Sequence, residues 1–156
     1  MKGDPQILAL LNDVLAGELV AISQYFLHGK MRANWGYGYL AQHARAESID
    51  EMKHADKLID RILFLDGLPN LQRLDKLNIG ENVREQFQSD LALEMLAVKR
   101  LNAGLELCRQ KGDGASEELL REILVSEEVH VDWLETQLGL MDKLGEALDL
   151  AQQLRA

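Results

Sequence analysis

The sequence predicts an all-α protein: four long helices in two hairpins, a long crossover between the second and third, and a short fifth helix. Three observations predict it. Apolar residues recur at steps of three and four through four stretches of roughly thirty residues each. The breaks between stretches are short and glycine-rich, apart from one connection of about fifteen residues. Only two prolines and 5 % aromatic residues disturb or compete with the helical pattern. The 156 residues suffice for one core, so one domain over 1–156 is expected, with the bundle at about 4–144 and the tail helix at about 146–154.

The first helix is expected from about Pro5 to Asn34, with Leu11, Val14, Leu15, Ile22 and Tyr25 on its inner stripe. Asp4 suits the N-cap, and Pro5 suits the first helical position, where its missing N–H costs nothing. Gly36 and Gly38 punctuate the chain before a second helix from about Tyr39 to Leu65, facing inward with Leu40, Ala44, Leu58, Ile62 and Leu65. The connection after Asp66 runs to Gly80, too long for a tight hairpin and long enough to carry the chain from one end of the bundle to the other. A third helix follows from about Glu81 to Gln110, with Phe87, Leu91, Val98, Leu101 and Leu105 inside. Lys111-Gly112-Asp113-Gly114 closes a hairpin with the fourth, about Ala115 to Leu144, whose stripe is Leu120, Ile123, Leu134, Leu138 and Met141. Gly145 breaks the pattern before the tail helix, about Glu146 to Leu154. Two hairpins joined by one long crossover describe the ferritin-like bundle topology rather than the plain up-down-up-down one.

A net charge of −9 argues against nucleic acid and anionic membrane as partners, because phosphates and acidic lipids repel a negative surface; metal cations suit it better. The apolar runs are interrupted by charge and the start, Met1-Lys2-Gly3-Asp4-Pro5, has no hydrophobic signal region, so neither a membrane span nor export is expected. The single cysteine, Cys108, cannot form an internal disulfide and fits a reducing cytoplasm.

The informative residues are ionisable ones on the apolar stripes. Glu18 falls between Val14, Leu15 and Ile22; Glu51 and His54 lie on the line of Leu40, Ala44, Glu47 and Leu58; Glu94 sits between Leu91 and Val98; Glu127 and His130 fall between Ile123 and Leu134. Each long helix therefore points at least one carboxylate inward, which costs several kcal/mol per group unless it is protonated or paired with cations. The spacing sharpens the point. Adding 76 to positions 18, 51 and 54 gives 94, 127 and 130, so both hairpins repeat one pattern, Glu then Glu-x-x-His. With 14 glutamates in the chain, a lone Glu-x-x-His is weak evidence and is usually a surface pair. Two matched sets on apolar stripes are another matter, and they correspond to the ligand constellation of carboxylate-bridged di-iron and di-manganese bundles. Four carboxylates balance two divalent ions, and oxygen and imidazole ligands without thiolate suit iron or manganese.

The sequence resembles the bacterioferritins, the haem-containing bacterial branch of the ferritins, over essentially its full length. The resemblance is carried by Met1 to Asp4, Gly17-Glu18-Leu19, Gln24 to His28, Glu47 to Asp56, Arg61 to Leu71, Ser89-Asp90-Leu91, Glu127-Glu128 with His130, and Asp132 to Glu135. It implies a cytoplasmic iron store that assembles into hollow shells of twenty-four subunits. Such proteins oxidise Fe(II) to Fe(III) at an intrasubunit di-iron site with dioxygen or peroxide and deposit ferric mineral inside. By position, Glu51 and Glu127 would bridge the two irons, with Glu18 and His54, and Glu94 and His130, as terminal ligands.

Met52 turns about 100° away from Glu51 and so faces outward. On its own it reads as interface packing; the resemblance implies that it shares a haem b with the same residue of a twofold-related subunit. The haem would take electrons from a small ferredoxin-like partner docking near Leu68, Asn70, Leu71, Leu77 and Glu81. Tyr25 reads either as a core tyrosine bonded to a buried carboxylate or as an extra electron donor during oxidation. Asp50 resembles an inner-surface iron ligand whose usual histidine neighbour is replaced by Ala46. Asn34, Asp66, Asp132 and Thr136 match positions lining one type of shell pore. His28 and His43 lack a glutamate three residues before them and are expected to be structural or surface residues. A rubrerythrin-type di-iron peroxidase or oxygenase is the enzymatic alternative, though such proteins usually carry a cysteine-ligated iron module that one cysteine cannot supply.

Overall fold

The chain enters its first helix at the expected proline. In the computed structural model, which describes residues 1–154, helix α1 runs Pro5–Asn34 and Asp4 caps it, accepting from the Gln6 amide at 2.8 Å. Arg155 and Ala156, the last two residues of the expected domain, lie outside the described residues. Helices α2 (Gly38–Phe64), α3 (Val83–Lys111), α4 (Gly114–Leu144) and α5 (Glu146–Ala151) follow. No strand occurs among the described residues.

The boundaries follow local chemistry. Helix α3 starts two residues later than expected because Asn82, with extended backbone, accepts from the Glu85 amide at 2.9 Å and so takes the cap position. Between α3 and α4, Gly112 adopts a left-handed conformation (φ 71°), and the Asp113 amide bonds back to the Cys108 carbonyl at 2.9 Å. Asp113 in turn caps α4 through the Ser116 amide. Helix α5 is shorter than expected: it ends at Ala151 rather than Leu154. The Gln152 and Gln153 amides reach carbonyls three residues back, Asp149 and Leu150, and this tighter turn terminates the helix.

Helix α1 packs along α2, α3 packs along α4, and α1 meets α3 across the bundle. The apolar core is in two pieces. One gathers Leu11, Leu15, Leu58, Ile62, Leu101, Leu120 and Ile123; the other gathers Leu40, Phe87, Leu134 and Met141 and is closed by Leu150 of α5. Of the expected stripe residues, Ile22, Leu91, Val98 and Leu138 are only partly buried and pack against these clusters. Along α2, α3 and α4, Glu51, Glu94 and Glu127 fall between the residues of the two pieces, while Arg32 lies against Phe87 of the second.

The crossover, residues 65–82, is laid along α1. Asn12 holds its start, donating to the Leu68 carbonyl at 3.2 Å and accepting from the Asn70 amide at 2.8 Å. Its end is held by Gln24, which accepts from the Asn78 amide, and by His28 Nε2, which accepts from the Gly80 amide. From Asn12 to His28 is about 24 Å of helix, so the segment does traverse the bundle. A buried polar network supports that end: Arg32, 1 % exposed, donates to Gln86 at 2.8 Å and to Asp90 at 3.2 Å, while Gln24 donates to Asp90 at 2.8 Å.

Helix α1 is long and apolar enough, by length and composition, to cross a membrane, although Asp13, Glu18, Lys30 and Arg32 interrupt its apolar runs as expected. Its apolar surface is used otherwise: Ile7, Leu11, Val14 and Leu15 are spent on the core, and Glu18 and Arg32 lie buried on the same helix.

Candidate metal centre

Helical periodicity alone turns Glu18, Glu51, His54, Glu94, Glu127 and His130 inward, and packing brings them to one place. Two groups result, Glu18 with Glu51, His54 and Glu127, and Glu94 with Glu51, Glu127 and His130. Within each group the potential ligand atoms lie within 4.8 Å of one another. Glu51 and Glu127 belong to both groups. His54 Nδ1 lies 3.3 Å from Glu51 Oε2, 3.3 Å from Glu127 Oε1 and 3.5 Å from Glu18 Oε2. His130 Nδ1 lies 3.2 Å from Glu51 Oε1, 3.4 Å from Glu94 Oε1 and 3.9 Å from Glu127 Oε2. Each shared carboxylate thus offers one oxygen to each histidine.

The electrostatics are those of crowded carboxylates in a poorly hydrated interior. Burial opposes charge on His54, but the Glu127 and Glu51 carboxylates beside it outweigh this and push the pKa up to about 10. Burial likewise opposes charge on His130, yet Glu51 and Glu94 raise it to about 11. Burial and the neighbouring Glu127 hold the Glu94 carboxyl well above its ordinary range. Burial also presses Glu51 upward, but the two histidines beside it outweigh this and leave it below the usual value. Tyr25, fully buried, donates its hydroxyl to Glu94 Oε1, and burial together with the Glu94 charge raises its pKa far above 10.

Does the donor set fit metal? Among the described residues, eight buried side-chain polar atoms have no hydrogen bond of acceptable geometry, and five belong to this cluster: Glu18 Oε2, Glu51 Oε1, Glu94 Oε2, Glu127 Oε1 and His130 Nδ1. Buried polar atoms are rarely left unmatched unless another partner is intended. Oxygen and imidazole donors without thiolate can hold two divalent cations of the iron or manganese type, with the shared carboxylates between them.

The remaining expected residues are placed elsewhere. Met52 is 55 % exposed on α2, directed away from the cluster, and Ile49 one turn earlier is exposed beside it; an accessible thioether on an apolar face fits a flat apolar group. Asp50 is half-buried and joins neither group, and Ala46 offers no ligand atom. Leu68, Asn70, Leu71, Leu77 and Glu81 are exposed along the crossover and its end. Asp66 pairs with the N-terminal amine at 3.4 Å, Asn34 is exposed at the end of α1, and Asp132 and Thr136 line a surface depression on α4 with Glu135 and Lys143. His28 is wholly buried, 2.9 Å from Asp90, and serves the crossover.

Four residues near the centre escape the sequence reading. Glu47 lies on the noted stripe and is buried; His43, assigned no function, pairs with it at 2.7 Å and stacks on Trp133 with ring centroids 3.6 Å apart. The i, i+4 spacing of His43 and Glu47 was the available signal. Asp90, one turn before Glu94, and Arg100, facing Gly17, have no such local signal because their partners lie on another helix.

Comparison with known proteins agrees with the geometry. A family model described as a ferritin-like domain matches residues 8–144. A bacterioferritin of Mycobacterium bovis and bacterioferritin BfrA of Mycobacterium tuberculosis are each 58 % identical to the chain over 97 % of its length and 96 % of theirs. A bacterioferritin of Streptomyces coelicolor is 51 % identical over 97 % of the chain and 90 % of its own length.

Proposed function

Since the chain belongs to the bacterioferritins, within the wider ferritin-like family, we propose that it is an iron-storage ferroxidase. The observation that carries this reading is the sharing of Glu51 and Glu127 between two ligand groups, each completed by one glutamate and one histidine. Two Fe(II) ions bind as substrate, one among Glu18, His54 and the shared carboxylates, the other among Glu94, His130 and the same pair. Binding displaces the protons that the crowded carboxylates keep on both imidazoles and on Glu94. Each iron then gives up one electron, and the pair of electrons reduces peroxide to water or dioxygen to peroxide with protons taken from solvent. Tyr25, bonded to Glu94, would supply a further electron when the irons provide too few.

The product Fe(III) is stored as mineral within a shell of twenty-four copies in the cytoplasm. Asp50 would be an accessory ligand on the route inward. The outward Met52 of two copies would hold one haem b by their sulfur atoms, and the haem supplies an electron path for reducing stored mineral. Its donor, a ferredoxin-like protein, would dock near Leu68, Leu71 and Leu77.

Size-exclusion chromatography with absorption spectra before and after aerobic Fe(II) addition tests the proposal. A large assembly that takes up iron and gains ferric absorbance is expected, and Glu18→Ala should assemble equally but lose rapid oxidation. Unchanged initial rates in that variant would sink the ferroxidase assignment.

A further inference from the structure

The carboxylate centre meets solvent through a narrow cavity between α1 and α3. Glu18, Glu51, Glu94 and Glu127 line its inner part, and Val14, Ala21, Leu93, Ala97 and Leu101 contribute apolar walls. It holds no more than about one water molecule. Gly17 and Arg100 complete the lining, and both are partly exposed. The two are fitted to one another. A Cβ placed on Gly17 would collide with Arg100 Nη1 and lie 3.6 Å from Cζ, so the guanidinium rests over a helical position that only a residue without a side chain leaves open. The other arginines near the bundle's interior are held: Arg32 by Asp90, and Arg61 by Asp113 at 2.7 Å. Arg100 forms no ion pair among the described residues. A long, charged side chain is therefore parked over an anionic cavity with only the field of the carboxylates to keep it there.

We propose that Arg100, seated on Gly17, is a gate on this opening: its guanidinium covers the carboxylate centre and must swing outward before a divalent cation can pass between α1 and α3. The proposal rests on reading the cluster as a divalent-metal centre. Two physical effects act together. The cavity is too narrow for a hydrated cation while the guanidinium covers it, and the guanidinium's charge repels a cation approaching from outside. Attraction by the four carboxylates works in the opposite sense, so the gate slows entry without abolishing it. Among the described residues the long side chain has no ion-pair partner to release, which lets it move without local unfolding.

The test is the rate of Co(II) binding to the metal-free protein, followed by stopped-flow absorbance, in wild type, Arg100→Gln and Arg100→Glu. Arg100→Gln keeps much of the size and removes the charge. It should bind Co(II) about fivefold faster at low salt, the factor expected for one unit charge several ångströms from a divalent ion in water. Arg100→Glu should be faster still, and added salt should narrow the differences between the three proteins. Equal rates in all three, with Co(II) still bound at the centre, would overturn the gate and leave the proposed function standing. A wild-type protein that binds no Co(II) at all would instead overturn the reading on which the gate depends. Melting temperatures matched to wild type would show that the variants are folded.

Discussion

His54 and His130, on different hairpins, turn the same ring nitrogen, Nδ1, towards the same two carboxylates. Each lies 3.2 or 3.3 Å from an oxygen of Glu51, and the two use different oxygens of it. Glu127 is shared in the same way, at 3.3 and 3.9 Å. The two halves of the centre are therefore not independent sites, and substitutions should show it.

A shared carboxylate and an unshared one should differ in metal stoichiometry. Calorimetric titration with Co(II) should find about two equivalents per chain in wild type and about one in Glu18→Ala, which touches one group only. Glu51→Ala should lose both tight equivalents. Equal stoichiometry in the two variants would contradict the sharing.

The metal-free protein should weaken towards alkaline pH. The histidine pKa values are raised in the fold, from 6.5 to about 10 for His54 and about 11 for His130. Their contribution to stability is therefore fully present below pH 6.5 and is lost as pH rises through the folded values. Glu94, also raised, acts in the same direction. Bound metal needs neutral imidazole and ionised carboxylate, so its stabilising effect should grow over the same window. Thermal melts in chelator and in Co(II) between pH 6.5 and about 10 should diverge as pH rises; parallel curves would refute this.

Asp90 accepts from Gln24 and Arg32 and lies 2.9 Å from His28 Nδ1, all four residues being buried. Asp90→Ala leaves the Arg32 charge buried and unpaired and should cost about 3 to 5 kcal/mol in urea unfolding. The amides of Asn78 and Gly80 should also exchange faster, because the groups that accept from them, Gln24 and His28, lose their anchor. A loss below about 1 kcal/mol, as for an exposed pair, would show that the network is not needed.

Met52→Leu keeps the apolar face and removes the sulfur. Haem reconstitution should fail in this variant, while Co(II) stoichiometry stays at wild-type level, because Met52 points away from the centre. A normal haem spectrum in the variant would remove Met52 from that role.

The sequence by itself determined the helices, their caps at Asp4, the inward direction of Glu18, Glu51, His54, Glu94, Glu127 and His130, and the repeat at an offset of 76. These follow from short-range rules: a period of 3.6 residues assigns each side chain to a face, and caps and glycines mark the ends. It failed where the deciding contact is local but subtle, as at the early end of α5, or where the partner lies on another helix. Only the tertiary structure decided that Glu51 and Glu127 are shared, that Arg32 and Asp90 meet 58 residues apart, and that Arg100 lies over Gly17. Those relationships depend on how far each helix is rotated and slid against its neighbour, and no periodicity within one helix encodes that.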